Sequence, residues 1–281
     1  MDMEERRVIF SWNKEEALEL LGSCDDDGVF PIVQKHVPHG ALVLESGCGL
    51  GRYVRYLNDR GFPCVGLEYR GETVRAIKDV WPDLAVVQGD VSLSPFPDGT
   101  FDAVISLGVV EHFVDGPGQA LREMQRVLKP GGKAIITVPC LNTVRRAKRR
   151  VGWNEVADLP RALAARLLKG KPKPPTRFNR HYKYAVYPTY GPFFEYRMTR
   201  EQFASEVSGA GFRIETHDPH ALLDGVYHEL NPFGLLIGFR NWKFRPSACA
   251  NWLHARLARR PFFSTHMQVI VATKAVGVER R

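Results

Sequence analysis

The sequence predicts an α/β protein with a doubly wound, mostly parallel sheet, and three observations support this fold class. Five apolar runs of strand length follow one another in the first half of the chain. Segments of helix length separate them, as the crossovers of a parallel sheet require. A glycine-rich turn follows the first run, where such strands pass into helices. Because right-handed crossovers place helices on both faces, ligands are expected at the carboxyl ends of the strands.

The five apolar runs are continuous rather than alternating, which is typical of strands buried on both faces. The predicted strands are 41–46, 64–69, 84–90, 101–107 and 133–139. Helices are predicted between them at 52–59, 72–80 and 118–128. The sequence LKPGG at 128–132 is predicted to stop the last of these helices before the fifth strand begins, because Pro and Gly terminate helices.

Two further strands, at 212–216 and 267–275, are predicted to complete a seven-stranded sheet. The helix before the sixth strand has a capping box at Thr199 and Gln202, and Gly209 and Gly211 are expected to end it. Basic and aromatic insertions are expected after strand 5 and between strands 6 and 7. The predicted divisions are an N-terminal helical cap at 1–39, a core at 40–140, the first insertion at 141–195, and the rest of the core at 196–281 with the second insertion at 231–263.

Composition indicates one large domain with insertions, since 281 residues with 44% hydrophobic content can bury a sizeable core. The five cysteines form no CxxC pair, which favours free thiols in a reducing compartment and predicts no metal site. The start MDMEERRVIF has no apolar signal region, and the longest apolar stretches are of strand length. We therefore expect a soluble cytoplasmic protein.

The net charge of +8 is concentrated in two segments. Residues 141–183 contain 13 Lys and Arg against two acids, and residues 231–274 contain seven against none. The rest of the chain sums to −10. The basic character therefore belongs to the two insertions and not to the predicted core.

The turn after the first strand lies within LESGCGLGRYVRYL, residues 44–57, and has glycines at 47, 49 and 51. Glycine permits a ligand to approach the backbone closely at a strand-to-helix turn. A dinucleotide fingerprint would need a glycine at position 52, which is Arg52, and no GK[ST] follows as in a P-loop. The turn therefore predicts a nucleoside-like ligand whose non-ribose end carries no phosphate.

This turn resembles motif I of the class I S-adenosylmethionine-dependent methyltransferases. Further segments stand in the order of that class: VGLE, VQGD, FPDGTFDAVISLGVVEHF and LKPGGKAIITVP. Residues 40–140 are similar to the type-11 methyltransferase domain within it. The resemblance implies a Rossmann-like fold, S-adenosyl-L-methionine as the cofactor, and methylation as the activity.

The resemblance also implies the cofactor-binding residues. Glu68 would accept hydrogen bonds from the ribose hydroxyls, and Asp90 would lie near the adenine amine with Val91 beside the ring. Glu45 would lie near the methionine ammonium. The remaining expected contacts are Gly47, Cys48, Gly49, Gly51, Tyr69, Leu107 and Gly108.

The segment SLGVVEHF, residues 106–113, is expected to face the transferred methyl group. It lacks the Asn/Asp-Pro-Pro-aromatic turn of amine methylases and the Pro-Cys turn of cytosine C5 methylases. His112 is the candidate catalytic base, because histidine titrates near neutral pH. A structural hydrogen bond is the alternative for His112, and Glu111 is expected to orient the cofactor or a helix.

The insertions supply candidate acceptor contacts. Residues 178–196 hold eight Phe or Tyr and predict either an aromatic lid over the acceptor or a small aromatic core. The substrate-binding candidates are His181, Tyr182, Tyr190 and Phe194. Residues 231–263 favour a lid or subunit contact first, peripheral membrane contact through Trp242 and Trp252 second, and nucleic acid third.

The sequence thus favours an enzyme that methylates an oxygen, ahead of nitrogen or carbon, of a small-molecule, glycan or lipid-linked acceptor. An RNA or protein methyltransferase that uses the basic insertions is an alternative. A non-catalytic regulatory subunit that binds S-adenosylmethionine is another.

Overall fold

A computed structural model describes residues 15–150, 177–178, 182–187, 191–231, 236–240, 243–260 and 262–275. Its strands are β1 Val43–Ser46, β2 Cys64–Glu68, β3 Val86–Gln88, β4 Phe101–Leu107, β5 Leu128–Pro139, β6 Arg177–Phe178, β7 Tyr182–Tyr187, β8 Gly191–Tyr196, β9 Phe212–His220, β10 Ile237–Arg240, β11 Lys243–Pro246 and β12 Met267–Lys274. Seven of them form one sheet in the order β3-β2-β1-β4-β5-β12-β9. The predicted seven-stranded α/β fold is confirmed.

Strand direction places several chain segments at one edge of this sheet. Strands β1 to β5 pair in parallel, so their carboxyl ends meet at the same edge. Strand β12 runs antiparallel to both β5 and β9, with Met267 opposite Pro139 and His220. The beginning of β12 and the end of β9 therefore lie at the edge where ligands bind in open α/β sheets.

The helices lie between the strands, as a doubly wound sheet requires. They are α1 Glu15–Ser23, α2 Val29–His36, α3 Arg52–Asn58, α4 Gly71–Val80, α5 Gly118–Val127, α6 Thr143–Arg150, α7 Arg200–Gly209, α8 Leu222–Leu230 and α9 Ala248–Leu257, with a 3₁₀ turn at Val110–His112. The predicted capping box of α7 is present: the Gln202 N–H donates to Thr199 Oγ1 at 3.2 Å, and the Thr199 N–H donates to Gln202 Oε1 at 2.9 Å. Gly211 follows this helix with a φ of 92°.

Both faces of the sheet are buried. Val43 of β1 packs in one apolar cluster with Tyr53 and Ile77. The next residue, Leu44, packs in a second cluster with Leu121 and other residues of the opposite face. Since successive strand residues point to opposite faces, helices cover the sheet on both sides, which explains why its apolar runs are continuous.

The start of β5 differs from the prediction. Residues 128–132 were expected to form a turn, but the strand already begins at Leu128, which pairs with Phe101. The register shifts between Phe101 and Ala103, and Gly131 has a φ of 76°. This irregularity accommodates the Pro-Gly-Gly sequence inside the strand, because a bulge takes up extra residues without ending the pairing.

The insertions contain strands that the sequence did not predict. Strands β6, β7 and β8 form a three-stranded antiparallel sheet, and β10 and β11 form a hairpin. Val226 of α8, Ile237 of β10 and Ala250 of α9 make a small third core. Within the described ranges, no helix has both the length and the apolar character needed to cross a bilayer.

Candidate functional site

A cavity of about 1150 Å³ opens at the carboxyl edge of the sheet. It exceeds the roughly 300–1,000 Å³ of a single small-molecule site. Of the residues predicted for a site, those that line it are Glu45, Gly47, Cys48, Gly49, Glu68, Tyr69, Asp90, Val91, Leu107, Gly108 and His112. Leu20, Ser23, Asp26 and Asp27 of the N-terminal region also line it. One cavity therefore borders the glycine turn, the carboxyl ends of the strands and the N-terminal region.

The three glycines of the turn each have a left-handed backbone. Gly47, Gly49 and Gly51 have φ values of 84°, 51° and 72°. A Cβ on Gly47 would lie 2.7 Å from the Val109 side chain, and one on Gly51 would lie 3.1 Å from Leu84. Gly51 caps α3 and does not line the cavity. At these two positions the positive φ and the neighbouring protein atoms require glycine. The predicted close approach of a ligand is not needed to explain them.

Glu68 ends β2 beside this turn and is 9% exposed. Its Oε2 accepts the Gly49 N–H at 3.1 Å, and its Oε1 accepts the Arg70 N–H at 3.0 Å. Burial raises the pKa of this carboxyl, while the two backbone donors oppose the rise. The carboxylate is thus held rigidly, and it still faces the cavity.

A buried carboxyl, Glu45, and a half-buried guanidinium, Arg52, lie near each other at the turn. Glu45 is 3% exposed, and its Oε2 accepts the Val54 N–H at 3.1 Å. Burial raises the pKa of Glu45 to about 8, and the Arg52 charge opposes that rise. Arg52 Nη1 lies 3.1 Å from Asp27 Oδ2 and donates to Ser23 Oγ at 2.6 Å. Arg52 lines the cavity, and sequence reasoning had considered it only as a missing glycine.

Asp90 and Val91 lie in the loop after β3, which ends at Gln88 and is shorter than predicted. Asp90 Oδ1 accepts hydrogen bonds from the backbone N–H and the hydroxyl of Ser92, both at 2.8 Å. Val91 is 7% exposed and lines the same wall of the cavity. An apolar surface next to a fixed carboxylate suits a planar ring that carries an amine.

His112 ends the 3₁₀ turn after β4 and lines the cavity. Its Nε2 lies 3.8 Å from Oε1 of Glu111. Glu111 is 2% exposed, and burial raises its pKa well above the usual value. The structure thus places His112 at the cavity wall, while Glu111 points into the protein.

A cluster that sequence reasoning missed lines the far end of the cavity. Asp224 and His228 lie one turn apart on α8, and His228 Nε2 is 3.0 Å from Asp224 Oδ1. His266, just before β12, has its Nε2 3.9 Å from Asp224 Oδ2, and its ring stacks on that of His228 at 4.5 Å. One ligand atom from each of the three residues lies within 4.8 Å of the others, although no metal site was predicted.

His220, at the end of β9, lies between this cluster and the N-terminal region. Burial lowers its pKa, while Asp27 and Asp224 oppose that shift. A Cβ on Gly28 would be 3.5 Å from its ring. The N-terminal segment therefore spans the cavity mouth from Arg52, which pairs with Asp27, to His220, which lies beside Gly28.

Several predicted positions lie outside the described part of the chain. His181, Tyr190 and Trp242 are among them, and the side chains of Tyr182 and Phe194 are not described either. Trp252 of α9 is 62% exposed, with the Arg256 guanidinium 5.5 Å from its ring. Acceptor binding by 178–196 and membrane contact by 231–263 stay predictions.

Comparison with known proteins shows which family this chain resembles. Residues 44–136 match the family described as "Methyltransferase domain". A probable S-adenosylmethionine-dependent methyltransferase of Mycolicibacterium smegmatis is 32% identical over 111 residues, which are 38% of this chain and 43% of the relative. A probable tRNA methyltransferase 9B of Mus musculus is 36% identical over 135 residues, which are 46% of this chain and 28% of the relative. The matched part covers less than half the length of either relative.

A solved structure shares the architecture over most of the chain. The S-adenosylmethionine-dependent methyltransferase of Methanosarcina mazei has a TM-score of 0.58 and 17% identity, over 88% of this chain and 98% of that one. At this identity the likeness shows the fold, and the same fold can host different functions.

Proposed function

Residues 44–136 are a methyltransferase domain of the class I S-adenosylmethionine-dependent kind, and from this premise we propose that the protein methylates an oxygen of a small-molecule, glycan or lipid-linked acceptor. One observation supports the proposal most strongly. Glu45 and Glu68, beside the glycine turn, line the same cavity as His112, His228 and His266. A donor and an acceptor that share one space can react by direct displacement.

The residues at the glycine turn fit S-adenosylmethionine. Glu68 presents a fixed carboxylate for the ribose hydroxyls, and Asp90 with Val91 presents a wall for adenine. Glu45 and Arg52 provide one negative and one positive group for the ammonium and carboxylate of the methionine end. When bound, S-adenosylmethionine supplies an electrophilic methyl group on a positively charged sulfur.

The protein's contribution to the reaction is mainly alignment and exclusion of water. Leu107 and Gly108 at the end of β4 and His112 line the cavity beside the turn, where they would border the bound donor. Such placement lowers the entropy cost of bringing two reactants together. His112 is the predicted base at this wall, and its role is tested by comparing His112→Gln with the wild type.

Calorimetric titration with S-adenosylhomocysteine and with NADH tests the cofactor assignment. We expect micromolar binding of S-adenosylhomocysteine and no binding of NADH, because the turn lacks the third glycine of the dinucleotide fingerprint. Binding of NADH, or of neither ligand, would contradict the proposal. Formation of S-adenosylhomocysteine from S-adenosylmethionine with a metabolite extract separates an enzyme from a regulatory subunit, which would bind without turnover.

Methyl transfer to RNA is a second candidate. Arg146 and Arg150 of α6 are exposed, and the mouse relative is described as a probable tRNA methyltransferase. Phosphate binding by such residues weakens steeply with salt. Binding of bulk tRNA that falls about tenfold or more between 50 and 200 mM salt would favour this candidate over a small-molecule acceptor.

A further inference from the structure

The far end of the cavity carries polar groups that the cofactor assignment does not use. Asp224, His228 and His266 all line it, and they come from α8 and from the segment that precedes β12. Their side chains are 24%, 48% and 20% exposed. Each side chain is therefore partly buried but still accessible to a molecule in the cavity.

Arg145 determines which nitrogen of His266 carries the proton. Arg145 Nη2 lies 2.7 Å from Nδ1 of His266, and a guanidinium has only donors. Nδ1 must accept, so the neutral ring carries its hydrogen on Nε2, the atom on the Asp224 side. Arg145 is itself held by Glu229, whose Oε1 is 2.5 Å from Arg145 Nε, and both side chains are buried. His266 is thus a fixed donor toward the cavity.

The Asp224 carboxylate presents its Oδ2 beside this donor, 3.9 Å from His266 Nε2. Its other oxygen, Oδ1, is buried and faces His228 Nε2 at 3.0 Å. Because the Asp224 side chain is 24% exposed while Oδ1 is buried, Oδ2 is the oxygen that a ligand in the cavity can reach. A hydroxyl group both donates and accepts, and this matches an Asp224 acceptor next to a His266 donor.

We propose that Asp224 and His228, with His266, form the acceptor-activating site, which takes an aromatic compound with an ionisable hydroxyl group. This inference rests on the methyl-transfer function proposed above. The hydroxyl donates to Asp224 Oδ2 and accepts from His266 Nε2, while His228 faces the other carboxylate oxygen. Asp224 and His228, in place of the sequence-predicted His112, act as the proton acceptor, and His266 holds the hydroxyl oxygen through the hydrogen bond that it donates.

The surroundings of the cluster favour an aromatic acceptor. Tyr227 and Phe244 line this end of the cavity, with ring centroids 5.3 Å apart. Leu223, Met267 and Phe113 add apolar surface. A flat ring with one polar substituent matches apolar walls that carry a few convergent polar groups.

The proposed step balances in protons and electrons. The acceptor O–H bond breaks, and its proton passes to the Asp224–His228 pair. An oxygen lone pair forms the new bond to the methyl carbon, while the electrons of the carbon–sulfur bond go to sulfur and neutralise its positive charge. The half-exposed His228 then releases the proton to solvent.

The same geometry argues against a divalent cation at this cluster. A metal ligand must offer an unprotonated ring nitrogen. The Arg145 contact leaves Nε2 of His266 protonated, so this atom has no lone pair for a metal. The three residues are close enough to suggest a metal site, but Arg145 favours an organic hydroxyl instead.

Binding of two matched probes tests the site without turnover. Phenol and anisole share one ring, but anisole has a methyl group in place of the hydroxyl proton. In the complex with S-adenosylhomocysteine we expect phenol to bind about tenfold or more tightly than anisole, and Asp224→Asn and His228→Gln to remove this preference. Asp218→Asn, an exposed carboxylate of β9 outside the cavity, serves as the control and should change nothing.

Transfer to the probes supplies the second measurement. We expect wild-type protein with S-adenosylmethionine to convert phenol to anisole, and Asp224→Asn to reduce the rate by roughly 10²–10⁴. The loss should be smaller for 4-nitrophenol at about pH 8, since that phenol is already largely ionised and needs no base. Equal losses for both phenols would overturn the proton-transfer role.

The remaining outcomes distinguish failure of the proposed acceptor site from failure of the proposed methyl-transfer function. Binding of S-adenosylhomocysteine without any preference for phenol, or an unaffected Asp224→Asn, would overturn the acceptor site alone. Failure of S-adenosylhomocysteine to bind would overturn both proposals. Micromolar Zn²⁺ binding that Asp224→Asn and His228→Gln abolish would replace the hydroxyl site by a metal site.

Discussion

The carboxylate of Glu68 accepts the backbone N–H of Gly49 at 3.1 Å, and this bond ties the end of β2 to the glycine turn. The turn that would receive the donor is therefore built by the same side chain that would bind its ribose. Glu68 therefore couples cofactor binding to the geometry of the turn. Removal of the Glu68 carboxylate should affect both.

Glu68→Ala should weaken S-adenosylhomocysteine binding by about 1–3 kcal/mol, because a charged hydrogen-bond partner is lost and the Gly49 N–H loses its acceptor. Calorimetry measures the change. Glu206→Ala in α7 is the matched control, since Glu206 is exposed and lies outside the cavity. Equal affinities of the wild type and Glu68→Ala would show that Glu68 does not contact the nucleoside.

Arg52→Gln should discriminate between two ligands. We expect S-adenosylhomocysteine to lose about tenfold or more in affinity, because hydrogen bonds to charged groups contribute about 1.5–3 kcal/mol. 5′-Methylthioadenosine, which lacks the amino acid end, should bind as before. Arg55→Gln on the same helix, paired with Asp59, is the control. A parallel loss for both ligands would mean that Arg52 acts through its ion pair with Asp27 instead.

Glu45 should make stability depend on pH. Burial raises its pKa to about 8 in the folded protein, from a usual value of 4.5. Between these values the folded state binds more protons than the unfolded state, so the free energy of unfolding falls as pH rises. The loss is at most about 5 kcal/mol at 1.36 kcal/mol per unit. Urea unfolding of Glu45→Gln should lack this decline, and identical pH profiles would refute the assignment.

Ligand binding should expel the Glu45 proton. A cationic ammonium near this carboxyl favours its ionised form and lowers its pKa below the value of about 8 in the empty protein. At about pH 7 we therefore expect up to one proton to be released as S-adenosylhomocysteine binds. Calorimetry in buffers of different ionisation enthalpy measures this release. Release that persists in Glu45→Gln would assign the proton to another group.

Gly225→Ala should disturb the end of the cavity that Asp224 and His266 line. A Cβ at this position would lie 1.8 Å from the Ser264 carbonyl oxygen, so α8 must move away from the segment that carries His266. Overpacking of this kind costs about 1–3 kcal/mol. Gly209→Ala in α7 is the control, because no atom lies within 4 Å of a Cβ there. Urea unfolding that gives the same change for both variants would contradict this packing argument.

The sequence predicted the elements and residues that local patterns encode. Continuous apolar runs such as 101–107 mark strands buried on both faces, and this strand has the predicted bounds. The order of motifs from Gly47 to Asp90 predicted residues that line one end of the cavity, because these residues follow successive parallel strands. Periodicity missed the strands of the insertions and the bulged start of β5, where pairing partners override local turn residues.

The sequence by itself therefore determined the α/β fold, the glycine turn and the acids that line the cavity beside it, because each depends on residues that are close along the chain. Only the tertiary structure brought together the polar cluster at the far end of the cavity. His266 meets Arg145, 121 residues away, and it meets Asp224 because β12 inserts antiparallel between β5 and β9. Long-range pairing sets these distances, and the Arg145 contact sets which ring nitrogen of neutral His266 carries the hydrogen. Neither effect has a local signature in the sequence.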